Sequence, residues 1–178
     1  MEDLVISSGI HVGEHCTKEL FEHLRREFPQ TLVSVFVCDE AAIPVALKKD
    51  YVFVSTNAAE GPHYPGVGAP EVAGTFPRLL GKYVREDRVL SLMEAVKKIT
   101  ILPARRFGLS DIGYIGEGAN ADLVIFNERT IRDRADFVNR GNPNEPPVGI
   151  EYVIVNGQVV VDQGQLNRSK RPGRFIKR

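Results

Sequence analysis

Thr31-Leu-Val-Ser-Val-Phe-Val37 and Tyr51-Val-Phe-Val-Ser55 are the two runs that decide the fold. Both are rich in β-branched and aromatic residues and nearly all apolar. Strands covered on both faces read that way, as in a parallel sheet. Between them, Asp39 or Glu40 can open a short helix that runs to about Lys49. Before them, Thr17 is a suitable N-cap, because its hydroxyl can accept from orphan backbone N–H groups. Leu20, Phe21 and Leu24 then form one apolar stripe at helical spacing, which Pro29 ends. Residues 17–56 therefore read α, β, α, β, and that alternation predicts parallel strands joined by helical crossovers. Leu4-Val5-Ile6 is a further short strand candidate, followed by a loop from Ser7 to Gly13.

A long stretch rich in Gly, Pro and Ala runs from Thr56 to Gly74. Loops of that length inside a compact domain tend to be functional. This one would leave the C-terminal end of a parallel strand, the face on which barrel enzymes carry their chemistry. Phe76 to Val84 can form a helix. Ser91 and Glu94 make a Ser-x-x-Glu capping box for a helix reaching about Ile101. Pro103 suits the first turn of a further short helix, and Gly108 its end.

From Asp111 the pattern changes to period two. Ala121 to Phe126 reads as a strand, and Glu128 to Asn139 as a short helix or an excursion. Glu151 to Val155 and Gln158 to Asp162 flank Asn156-Gly157. Asn-Gly between two apolar runs is the strongest short hairpin signal, since both turn positions need positive φ.

Composition narrows the function classes. Lys plus Arg and Asp plus Glu are 23 each, so the net charge is zero. That argues against nucleic acid or an anionic membrane as the main partner. The basic residues from Arg168 to Arg178 read as a solvated terminus. Cys16 and Cys38 are too few for a disulfide framework and sit beside apolar runs, so buried free thiols in a reducing cytoplasm are expected. The acidic start Met-Glu-Asp-Leu suggests neither a signal peptide nor a transmembrane segment. His11 and His15 stand four apart beside Cys16, which on a helix would put both imidazoles on one face. Gly13 weakens that helix, and surface histidines are the plainer reading.

Several segments resemble one family. Gly116-Glu-Gly-Ala-Asn-Ala-Asp-Leu-Val-Ile-Phe126 is similar to a signature run of amidohydrolases such as dihydroorotases, hydantoinases and deacylases. Tyr152 to Val161 resembles their closing hairpin, and Ser91 to Leu109 the helical segment before it. Gly74-Thr-Phe-Pro-Arg-Leu-Leu-Gly81, Tyr83 to Glu86 and Thr130 to Phe137 resemble the N-acyl-D-amino-acid deacylase (D-aminoacylase) branch in particular.

The resemblance implies an α/β chain that is incomplete alone. Residues 1–110 would be the last βα units of a (β/α)8 barrel, and residues 111–178 would be strands of a composite β-sandwich. It implies zinc, held mainly by residues outside this chain: a His-x-His, a Cys and two further His. Family members are single chains more than twice this length, so in a split enzyme a partner polypeptide would bring these ligands; the resemblance implies a small N-acyl amino acid or other amide as substrate. Such enzymes place an Asp, in Gly-Ser-Asp-Gly, at the end of the last barrel strand as metal support and general base. The matching run here is Val54-Ser-Thr-Asn-Ala58, with Asn57 at the Asp position. The Asn57 carbonyl oxygen could still contact a metal weakly, but an amide has no titratable carboxylate to accept a proton and so cannot be the base, a role worth about 10²–10⁴-fold.

Glu60 is the nearest substitute carboxylate. His63, in Gly61-Pro-His-Tyr-Pro65, could face substrate or metal. The family's loop Arg, which would hold a substrate carboxylate, has no counterpart between Asn57 and Gly74. Arg78 either faces substrate or pairs with a carboxylate of the fold. Three readings follow: a subunit of a split hydrolase, an inactive remnant that binds a partner or ligand, and a piece of a longer enzyme. A dihydroorotase or hydantoinase relative is the alternative for substrate class.

Overall fold

A computed structural model describes residues 4–56 and 69–176. The chain is α/β and holds two sheets. The first pairs β1 (Leu4–Ile6) with β2 (Val33–Val35), and α1 (Lys18–Glu27) lies between them in sequence. Thr17 caps α1 by accepting from the Leu20 amide. Ile6, Cys16 and Leu24 form a small core there, with Leu4 and Leu20 packed on it.

Two sequence expectations fail in this region. The parallel pair expected of residues 31–37 and 51–55 does not form among the described residues; β2 pairs antiparallel with β1 instead, with Leu4 opposite Val35 and Ile6 opposite Val33. An apolar run signals coverage but carries no strand direction, which is set by how the chain returns through α1. Nor is β2 covered on both faces: Val33, Val35 and Val37 are 41%, 52% and 75% exposed. The run from Tyr51 to Ser55 joins no sheet and lies extended after α2 (Ala42–Leu47), with Tyr51 81% exposed. Its backbone groups meet α4 instead of a neighbouring strand, as described below. Cys38 is exposed rather than buried, and both cysteines are free.

The helix expected from Phe76 to Val84 is two elements. α3 (Glu71–Arg78) contains Pro77, which has no N–H to donate to the preceding turn. The chain then continues as a π-helix (Leu79–Glu86). Gly81 within it lies against the 131–132 backbone, where a Cβ would come within 2.7 Å of the Ile131 carbonyl oxygen. α4 (Leu92–Ile99) starts at the Ser91–Glu94 capping box, both halves of which form. The Ser91 hydrogen bonds, from hydroxyl and backbone, hold the Glu94 carboxyl below its usual pKa. α5 (Ile101–Arg106) follows, and the Leu109 amide closes back on the Ala104 carbonyl.

The second sheet is an antiparallel meander of β3 (Leu123–Phe126), β4 (Ile150–Val155), β5 (Gln158–Asp162) and β6 (Gln165–Leu166). Asn156 and Gly157 take φ of 46° and 75° in the β4–β5 turn, as the Asn-Gly reading requires. Residues 127–149 form an excursion, tied back by a bridge between Arg132 and Val148. Ile131, 1% exposed, is the centre of that return. It packs in one core with Leu47, Leu79, Leu80, Tyr83, Leu90 and Ala95, against which Phe126 and Ile150 also pack. The helices and the second sheet therefore share a core. Among the described residues, no helix is long and apolar enough to cross a membrane.

Candidate functional site

The segment that leads to the sequence-predicted site is held by one buried side chain. Lys98, in the last turn of α4, is 5% exposed. Its ammonium donates to the Lys49 carbonyl at 2.6 Å and to the Val52 carbonyl at 2.7 Å. Its own carbonyl accepts from the Val54 amide at 3.1 Å. Two residues on, the Thr56 hydroxyl donates to the Glu71 carbonyl at 3.3 Å, joining the end of this segment to the first turn of α3.

Asn57, Glu60 and His63 all lie outside the described residues. Arg78 is described, and its guanidinium bridges two carboxylates: Glu40 Oε1 at 3.1 Å and Asp133 Oδ2 at 3.4 Å. Partial burial lowers its pKa, but the neighbouring Asp133 charge and hydrogen bonding outweigh that, and the net shift is upward. It thus joins α3 to the segment before α2 and to the excursion.

The His11–His15 pair does not form a helical face. Residues 8–13 are bends and turns, the His11 ring bonds Glu14 Oε1 at 3.1 Å, and His15 sits in a bridge opposite Val5. Among the described residues, no group of three His, Cys, Asp or Glu is placed to hold a metal ion. The described donors therefore do not fit a zinc site by themselves.

Two residues here escaped the sequence reading. Nothing in the local sequence singles out Lys98, whose helical neighbours three, four and seven positions back are Ala95, Glu94 and Ser91. Glu71 falls in the stretch read as a loop from Thr56 to Gly74; it lies instead in the first turn of α3, and among the described residues its buried Oε2 has no hydrogen-bond partner.

The comparisons with known proteins agree on the class. A model described as "Amidohydrolase family" matches residues 64–161, more than half of the chain. The chain belongs to the amidohydrolase family. Within that family it is similar to deacylases of N-acyl-D-amino acids. It is 39% identical over 143 residues to an N-acyl-D-glutamate deacylase of Alcaligenes xylosoxydans xylosoxydans, covering 80% of this chain and 28% of that protein.

Among solved structures, it matches the N-acyl-D-glutamate deacylase of Bordetella bronchiseptica, complexed with zinc and a phosphonate mimic of the tetrahedral intermediate. There the TM-score is 0.77 at 30% identity, over 90% of this chain and 35% of that one. It also matches a mutant D-aminoacylase in complex with copper chloride, with a TM-score of 0.82 at 29% identity, over 98% of this chain and 38% of that one. The chain thus spans about a third of the length of these relatives.

Proposed function

We propose that this chain is one part of a metal-dependent amidohydrolase of the deacylase type, acting on an N-acyl-D-amino acid or a related amide. A second polypeptide supplies the metal ligands and the remaining barrel strands. The observation that carries this reading is β2. Its valines are half exposed and, among the described residues, it pairs with β1 alone. An open apolar strand edge invites pairing with another strand, and a closed barrel is the family's way of removing it. Residues 1–110 then belong to the barrel and 111–178 to the sandwich strands, with a shared core between them.

In this reading zinc, bound by the partner, supplies the Lewis acid and the bound water. This chain completes the rim of the site through Asn57 and His63. Asn57 orients groups by hydrogen bonding and takes no proton. Glu60 is the carboxylate available for proton transfer, and Arg78 holds the rim together through Glu40 and Asp133.

The test is co-expression with the candidate partner, metal analysis of the purified complex, and an assay with N-acetyl-D-glutamate and added zinc. A zinc-bearing complex that releases acetate, and loses this activity on Glu60→Gln, is expected. A chain that purifies alone as a monomer defeats the proposal. A complex that forms and binds metal without turnover favours a second reading, an inactive deacylase remnant with a binding or structural role. Asn57 in place of a carboxylate is the observation behind that alternative.

A further inference from the structure

We infer that Lys98 is a positioning residue: its ammonium and carbonyl tie the turn after α2 and residues 52–54 to α4 and so fix the stem that precedes Asn57. Residues 51–55 have the composition of a strand, and among the described residues none pairs with them. Extended backbone of that kind leaves carbonyls that need donors. Lys98 provides them, to Lys49 and Val52, and binds the Val54 amide through its own carbonyl.

A buried ammonium without a carboxylate partner is costly, so its retention needs hydrogen bonds of good geometry. Both side-chain bonds are short, and both reach backbone atoms whose positions do not depend on a side-chain rotamer. An apolar residue would fill the same space in the helix, leaving the Val52 carbonyl without this donor and the Lys49 carbonyl with the Val52 amide alone. At the far end, the Thr56–Glu71 bond clasps the segment to α3. Among the described residues the stem is hydrogen-bonded to α4 and to α3, while Val54 packs on the main core and the Phe53 ring meets Phe107 edge-on. Of these, only the Lys98 side chain engages two carbonyls at once.

The kinetic part of this inference rests on the proposed deacylase reading; the structural part does not. Amide hydrogen exchange is measured on the full chain, in its complex if it forms one, for the native protein, Lys98→Met and Lys98→Arg. Met keeps length and volume, and Arg keeps the charge and donors. Lys98→Met is expected to speed exchange at residues 52–56 by about tenfold while the β4–β5 hairpin keeps its rate. Lys98→Arg is expected to recover most of the protection. No change in the stem, or equal acceleration of stem and hairpin, overturns the inference.

Where the complex deacylates N-acetyl-D-glutamate, Lys98→Met lowers kcat several-fold and leaves KM nearly unchanged. An unchanged kcat there, with the stem loosened, overturns the link to the site. If the native complex shows no turnover, the deacylase reading fails and the exchange rates still decide the role of Lys98.

Discussion

The second sheet and the 31–56 region contain equally strand-like sequence and end differently. In the sheet, β3, β4, β5 and β6 pair in chain order with antiparallel neighbours. In the earlier region, Val33–Val35 finds three residues of β1, and among the described residues Tyr51 to Ser55 pairs with no strand. For the β4–β5 pair the difference is the distance to the partner. The β4–β5 hairpin is closed by two residues whose backbone preferences match the turn, so its register is local. The runs at 31–37 and 51–55 depend on neighbours set by the tertiary fold, and in their place come solvent for the valines and Lys98 for the carbonyls of Lys49 and Val52.

The sharpest way to break this contrast is the residue that joins the sheet to the helices. Ile131→Ala removes a fully buried side chain from the shared core and is expected to cost about 2–5 kcal/mol. Denaturant unfolding followed through both helical and sheet signals checks it. A loss confined to one signal would show that the two regions do not share one core.

A smaller effect is expected from Gly157→Ala, which places a Cβ at φ 75° in the turn. The expected cost is about 1–2 kcal/mol, with the register of β4 and β5 retained. A shift of pairing, read from cross-strand proton contacts, would mean that the turn is not what sets the register.

The smallest effect is expected from Val35→Lys. Val35 is half exposed, so the stability of the isolated chain should change by no more than about 0.5 kcal/mol. The same change should abolish recovery of the chain with its partner. A large loss of stability in the isolated chain would show that β2 is already buried in solution.

Much of the fold was legible one element at a time. Thr17, the Ser91–Glu94 box and Asn156-Gly157 each announced a boundary through a side chain or φ preference acting within a few residues. The split of residues 71–86 into an α-helix and a π-helix was not legible. It combines the donor lost at Pro77 with the fit of Gly81 against Ile131, a contact distant in sequence. The site was legible only as residue types. Asn57 stood out only through the family resemblance and lies outside the described residues, whereas the engagement of Arg78 with Glu40 and Asp133 required three segments to meet.

By itself, then, the sequence determined the caps, the hairpin and the family, because each rests on short-range preferences or on contiguous motifs. Tertiary structure alone decided that β1 and β2 run antiparallel, that residues 51–55 form no strand, and that Lys98 is buried. Those outcomes follow from which distant backbone groups come within hydrogen-bonding reach, and no local preference encodes that.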